Sequence, residues 1–264
     1  YEYDASGNKI KETFSNGSYV TYEYNKKNLL TEKYEYNTNK TWTGLTSYSY
    51  NEDDLLQKVI DYNVTGHTPK PYRYTIYEYD ALGRMTGCSE INKASDPEGD
   101  EIDENKLVYK YDIEDKLTEI RYPKTEGDKL KGIKFEYNGY KWLVKIKGIM
   151  NENGTEVIRD IRGYEYYNDS KVKTIKDYRG FLNGGSGYIQ KAYEYDVFDR
   201  VTKMSYADSS NLSSVLEQYT YGYDRNSNII SETIINNYPA KQEEKVNETR
   251  TYTYDSLNRM VTSK

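Results

Sequence analysis

Hydrophobic positions in this chain come in short alternating bursts separated by turn-forming residues. The commonest burst is a pair of tyrosines two residues apart followed at once by Asp or Asn, first seen as Tyr1-Glu2-Tyr3-Asp4. The frame returns at Tyr22, Tyr48, Tyr77, Tyr109, Phe135, Tyr164, Tyr193, Tyr221 and Tyr252, ten copies at intervals of 21 to 32 residues. A fixed pattern at that period marks a repeat architecture. On a strand, residues at i and i+2 share one face, so each tyrosine pair lies side by side.

The place after the pair is Asp4, Asn25, Asn51, Asp80, Asp112, Asn138, Asp196, Asp224 or Asp255, with Tyr167 the exception. Asp and Asn bond back to the backbone two residues on and so initiate turns. Three residues later stand Gly7, Asn28, Asp54, Gly83, Asp115, Asp199 and Asn258, residue types that tolerate positive φ. Together they predict a hairpin with a type I turn closed by a left-handed residue. Lys141, Ser170 and Ser227 fill that place elsewhere and leave the turn type open in those copies.

Past the turn, an apolar residue recurs five positions after the Asp/Asn place: Leu30, Leu56, Met85, Leu117, Leu143, Val172, Val201, Ile229 and Met260, with Lys9 departing. Val59, Cys88, Ile120, Ile146, Ile175 and Met204 follow three positions later. A gap of three does not fit a flat strand and does not exclude a helix. The β-branched and Tyr-rich composition and the frequent turns decide for strand, so the gap predicts a bulge or strong local twist. Each unit is then one β-hairpin, and the fold expected is all-β, an array of about ten hairpins with some twenty strands over residues 1–264. The segment from the first Tyr to the apolar residue is nearly constant in length. One edge of the array should therefore carry short uniform turns and the other long variable loops.

Composition changes this picture at one point. Leu, Ile, Val and Phe total only 48 of 264 residues, which alone would suggest disorder. The net charge of −6 is modest, however, and 33 Tyr supply the missing burial. Tyr brings a large apolar ring and a hydroxyl that stays wet or finds a partner. Such a chain suits half-buried strands that stabilise one another, not one thick dry core. No run of eighteen apolar residues is present, so no helical membrane span is expected. One Cys excludes an internal disulfide framework. The chain begins inside a repeat and stops just after a turn, as a fragment of a longer array would.

The frame Tyr77-Glu78-Tyr79-Asp80-Ala81-Leu82-Gly83-Arg84 resembles the YD repeat of the Rhs family. Tyr193, Tyr195 and Asp196 through Arg200 follow it closely, as do Tyr252, Tyr254 and Asp255 through Arg259, with Asp199 and Asn258 where Gly would stand. The resemblance covers the whole chain. Relatives include bacterial Rhs and wall-associated toxins, the C component of insecticidal toxin complexes, and animal teneurins. It implies a β-sheet spiralling into a hollow shell, which in the bacterial members encloses a toxic C-terminal domain. The expected partners are thus the remaining repeats and that enclosed domain, in a protein secreted or displayed on a bacterial surface. The Asp-Pro-x-Gly motif of the family's closing core is matched only at Asp96-Pro97-Glu98-Gly99, in a mid-array loop. The self-cleaving aspartates have no counterpart, so these residues are read as shell wall.

Other candidates for chemistry are thin. Glu90 to Asn105 holds Glu90, Asp96, Glu98, Asp100, Glu101, Asp103 and Glu104, but the spacing matches no calcium loop and such runs are usually solvated. Arg121 to Lys147 interleaves eight basic residues with Tyr137, Tyr140 and Trp142. That pattern can bind polyanions, yet a strand with one wet face explains it better in an acidic chain, and no nucleic-acid partner is expected. Gly184-Gly185-Ser186-Gly187 lacks the Lys-Ser or Lys-Thr of a phosphate loop. Cys88 stands where Val59 and Ile120 stand and reads as packing. His67 is the lone histidine, which leaves a triad or zinc site without support. The sequons at Asn16 and Asn63 are expected by chance in so Asn-rich a chain. Exposed Tyr, Trp42 or Trp142 can stack on sugar rings, although tyrosines at fixed strand positions favour stacking between hairpins.

The reading is a structural, non-enzymatic shell segment with no cofactor and no metal, acting by enclosure. The alternative is a carbohydrate-binding or adhesion module of a cell-surface protein. No convergent acid, base and nucleophile set points to an enzyme.

Overall fold

The computed structural model describes residues 1–65, 68–92, 106–123, 127–180, 186–237 and 246–264. Every regular element among them is a β-strand, twenty in all, as the tyrosine repeat predicts. The chain divides into two units, Tyr1–Gly132 and Ile133–Lys264.

The first unit holds β1 (Glu2–Tyr3), β2 (Lys9–Thr13), β3 (Tyr19–Tyr24), β4 (Leu30–Tyr36), β5 (Trp42–Tyr50), β6 (Leu56–Thr65), β7 (Thr68–Tyr79), β8 (Met85–Asn92), β9 (Lys106–Tyr111) and β10 (Leu117–Arg121). Each pairs antiparallel with its neighbour in the chain. Strand β11 (Leu130–Tyr137) runs across the division. The second unit continues with β12 (Leu143–Glu152), β13 (Thr155–Tyr166), β14 (Val172–Tyr178), β15 (Tyr188–Tyr195), β16 (Val201–Asp208), β17 (Asn211–Tyr223), β18 (Ile229–Asn236), β19 (Val246–Tyr254) and β20 (Met260–Ser263). From β12 on, each again pairs antiparallel with the next.

The ten turns share one geometry. In the first, the Asp4 amide donates to Asn8 O and the Gly7 amide to Asp4 O, and Gly7 sits at φ 84°. The Asp4 carboxylate also accepts from the Ser6 and Asn8 amides. This is a type I turn closed by a left-handed residue. Lys141, Ser170 and Ser227 sit at φ 67°, 71° and 68°, with the same two backbone bonds in their turns. The copies left open by sequence are therefore of the same type: ladder bonds on both flanks fix the turn and override residue preference. Even Tyr167 conforms, its amide bonded to Lys171 O at 2.9 Å.

The gap of three is a bulge. Tyr24 faces Leu30 while Glu23 faces Glu32, leaving Thr31 as the extra residue. The same shift recurs where Tyr50 faces Leu56, Tyr79 faces Met85, Tyr195 faces Val201 and Tyr223 faces Ile229. At Thr31 and Thr118 the bulge hydroxyl donates across the ladder to Glu23 O and Lys110 O, both at 3.1 Å.

The opposite edge departs from expectation in its first connections, which are as short as the uniform turns. Phe14 to Gly17 and Asn37 to Lys40 form the same bonded turn, with Gly17 at φ 85° and Lys40 at φ 61°. Tyr34-Glu35-Tyr36-Asn37 is thus a further copy of the frame on that edge. Burial is shallow throughout: Val20, Ile149, Met150 and Ala207 are the buried hydrophobic residues among those described. Half-buried tyrosines carry the rest, as the composition requires.

Candidate functional site

The recurring geometry here is the joint by which one hairpin holds the next. Two side-chain places of the repeat frame do this, each in most but not all copies. The first is the second tyrosine of the pair, whose hydroxyl in eight copies donates to a backbone carbonyl of the preceding hairpin, that of the residue just before the extra residue of the bulge. Tyr24 reaches Lys9 O at 2.9 Å, Tyr50 reaches Leu30 O at 2.8 Å, Tyr79 reaches Leu56 O at 2.8 Å and Tyr111 reaches Met85 O at 2.9 Å. In the second unit Tyr166 reaches Leu143 O at 2.6 Å, Tyr195 Val172 O at 3.1 Å, Tyr223 Val201 O at 2.7 Å and Tyr254 Ile229 O at 2.9 Å. A bulge disrupts the ladder locally, and the next repeat brings a donor to that spot. Burial raises the pKa of Tyr50, Tyr79, Tyr166 and Tyr223, so these hydroxyls stay protonated donors.

The second place is the residue four after the Asp/Asn. Arg84 Nε donates to Asp80 Oδ2 of its own turn at 2.7 Å, and its other arm reaches Asp112 O and Asp115 Oδ1 of the next turn at 3.2 and 2.6 Å. The guanidinium lies 4.9 Å above the Tyr111 ring. Arg200 repeats this with Asp196, Asp224 O and Ser227, 4.5 Å above Tyr223. Asn8 spans Asp4 and Asn28, and Asn228 spans Asp224 and Asn258. The hydrogen bond from Arg84 holds the Asp80 carboxyl below the usual carboxylate range, as that from Asn8 does for Asp4. The backbone bond from Arg259 does the same for Asp255. Turn is thereby pinned to turn.

The second place is not polar in every copy. Leu29 and Leu55 fill it after Asn25 and Asn51, and Trp142 fills it after Asn138, where the next turn opens on Tyr167. Trp142 packs against Tyr166 at 5.3 Å, and Tyr140 at the turn tip stacks on Trp142 at 5.1 Å. Tyr164 continues the series 6.5 Å from Tyr166. A cleft of about 460 Å³ opens there, lined also by Asn138, Glu165 and Asn168. Tyr167 turns to the following repeat, its hydroxyl donating to Tyr193 O at 2.9 Å.

The repeat residues of the sequence reading lie on the hairpin strands and turns. Tyr1 and Tyr3 lie at the exposed first hairpin, and Tyr77, Tyr193 and Tyr252 face Cys88, Met204 and Ser263 across their hairpins. Cys88 is half-buried with its thiol pKa raised by burial, the reverse of an activated nucleophile. Trp42 donates its indole N–H to Gly44 O at 2.9 Å. Lys145 and Lys147 of the basic stretch pair with Asp160 and Glu136. His67, Asp96 to Gly99, the acidic residues from Asp96 to Glu104, and Gly184-Gly185 lie outside the described residues. Among the described residues no group of His, Cys, Asp and Glu is placed to hold a metal, and no helix is long and apolar enough to cross a membrane. Sequence reasoning missed the acceptor of the second tyrosine. The clue was that Phe135 replaces the first tyrosine of a pair, whereas the second is Tyr in all ten copies.

No protein-family model and no curated protein sequence matches the chain. Solved structures do. The chain is similar to the crystal structure of TcdB2-TccC3-Cdc42, with a TM-score of 0.56, 14% identity, and 98% of this chain and 13% of that chain covered. A Tc holotoxin pore of Photorhabdus luminescens matches with the same TM-score, identity and coverage. The crystal structure of TcdB2-TccC3 matches at TM-score 0.55 and 14% identity, covering 98% of this chain and 14% of that one. The chain thus spans 13–14% of the length of the chains it matches. At this identity the likeness is one of fold.

Proposed function

We propose that this chain is a wall segment of a hollow YD-repeat shell, part of a secreted bacterial toxin-like protein whose shell encloses a C-terminal effector. The observation that carries the reading is the fold similarity over 98% of the chain to TcdB2-TccC3 structures. The stapling supports it physically. Within each unit, hairpins are bonded to their neighbours through backbone carbonyls and, at several joints, through polar turn side chains, and such nearest-neighbour bonding makes an extended wall without a thick core. The segment's role is structural and non-enzymatic: it excludes solvent and host proteins from a passenger. The test is electron cryomicroscopy of the full-length parent gene product, with limited proteolysis. A closed cavity holding a protease-protected polypeptide is expected. An open sheet with no enclosed volume and no protected fragment refutes the reading.

A further inference from the structure

The β3–β4 ladder ends with tyrosine facing tyrosine. Tyr19 and Tyr36 are partners in its last rung, and their rings stack with 4.5 Å between centroids and 11° between planes. A second facing pair, Tyr178 and Tyr188 on β14 and β15, stands at 5.5 Å and 61°. Tyr36 is the second tyrosine of the out-of-period copy, the place whose hydroxyl staples Tyr24 to Lys9 O and Tyr50 to Leu30 O. Its own hydroxyl has no hydrogen-bond partner among the described residues, and neither has that of Tyr19. Both rings are half-buried and line a cleft of about 450 Å³. Lys33 and Glu35 in that cleft are paired with each other. Stacking alone would be met by phenylalanine at either place, so the packing leaves two phenols unused.

We propose that Tyr19 and Tyr36 form an oxidative modification site, a pair set to couple into an intrachain dityrosine when the protein meets a peroxidase and hydrogen peroxide. Each phenol gives up one electron and its hydroxyl proton, leaving a radical shared between the oxygen and the ortho carbons of the ring. A carbon–carbon bond forms between one ortho carbon of each ring. The hydrogen on each bonded carbon then moves to its oxygen as a proton and restores both phenols. In sum the two tyrosines lose two electrons and two protons, and one peroxide takes them up as two waters. The geometry selects this pair. Facing residues on neighbouring strands keep their side chains in register, and offset stacking lays the edge of one ring over the other, so the ortho carbons meet by a slide within the stack. The Tyr178 and Tyr188 rings must first rotate out of their edge-on arrangement. The product ties β3 to β4 at the end of the hairpin opposite its Asn25–Asn28 turn, so both ends of that hairpin are closed. This site concerns the covalent state of the chain itself and stands apart from the wall reading.

The full chain is treated at high dilution with horseradish peroxidase and hydrogen peroxide, then digested and mapped by tandem mass spectrometry. A peptide pair joined at Tyr19 and Tyr36, lighter by two hydrogens, is expected as the main intrachain dityrosine, ahead of any Tyr178–Tyr188 product. Tyr1 and Tyr140, 76% and 77% exposed, report what accessibility alone would do. Tyr36→Phe keeps the ring and should lose the cross-link, while the circular dichroism of the untreated variant matches the parent because the hydroxyl has no bond to lose. The cross-linked parent should unfold at a urea concentration higher by roughly 1 M, since a covalent bond closes the loop between the two tyrosines. The proposal is overturned if no Tyr19–Tyr36 product forms, if dityrosine arises mainly between chains through Tyr1 or Tyr140, or if the Tyr178–Tyr188 product dominates.

Discussion

Replacing Tyr79 by Phe removes one oxygen and isolates the staple. The hydroxyl donates to Leu56 O at 2.8 Å in a part-buried setting, and the ring keeps its packing in the variant. A neutral hydrogen bond contributes about 1 kcal/mol net, and a carbonyl left without its donor away from water adds to the loss. The expected cost is therefore about 1–2 kcal/mol. The control lies two residues earlier. The Tyr77 hydroxyl has no hydrogen-bond partner among the described residues, and Phe135 stands at the equivalent place, so Tyr77→Phe should change stability by less than about 0.5 kcal/mol. Urea unfolding followed by circular dichroism reads the difference: with m of about 2–3 kcal/mol/M, the Tyr79→Phe midpoint should fall by roughly 0.5 M. Tyr223→Phe, which loses a 2.7 Å bond to Val201 O, should behave like Tyr79→Phe. The two losses should add, since they share no partner. Equal effects from Tyr77→Phe and Tyr79→Phe would refute the assignment of the hydroxyl, whatever their size.

Two further outcomes are expected. Gly83 sits at φ 77°, so Gly83→Val should destabilise by about 1–3 kcal/mol, while Gly83→Asn should be near neutral because Asn28 and Asn258 hold the same conformation; thermal melts separate them. Glu119 is 6% exposed; burial pushes its carboxyl up, but bonds from Arg121 and Lys110 prevail and pull it down to about 2. A carboxylate depressed in this way contributes stability above the unfolded value near 4.5, and the contribution disappears as pH falls through about 2. Glu119→Gln should accordingly cost about 2 kcal/mol at pH 7, with allowance for the exposed Lys110 end, and the gap from the parent should close in denaturation curves taken between pH 4.5 and 2.

Much of this was readable from residues. The tyrosine pairs placed the strands, Asp and Asn placed the turns, and the gap of three between Leu56 and Val59 encoded the bulge. What was hidden had physical reasons. Lys141, Ser170 and Ser227 adopt positive φ because paired strands on both sides dictate it, a tertiary constraint that local preference does not report. Tyr34-Glu35-Tyr36-Asn37 escaped notice because it falls out of period, on the opposite edge. The Tyr79 acceptor was invisible because it is a main-chain atom, so no side chain at position 56 announces it. Lys9 makes the point, accepting from Tyr24 although it is not apolar. Trp142 was visible as an aromatic candidate and Tyr167 as an anomaly. That they flank one cleft follows only once the stapling place is seen to reach the next repeat.

The choice of a main-chain carbonyl as acceptor has a consequence for how such a chain can change over time. A side-chain pair must be matched at both ends, so a mutation or exchange at one end orphans the other. A carbonyl is supplied by every amino acid. A hairpin duplicated, lost or recombined into another position carries its tyrosine donor with it and meets an acceptor wherever it lands. The bond is thus indifferent to the neighbour's identity, and the array is free to lengthen, shorten and diversify its faces while each new joint forms without prior adaptation.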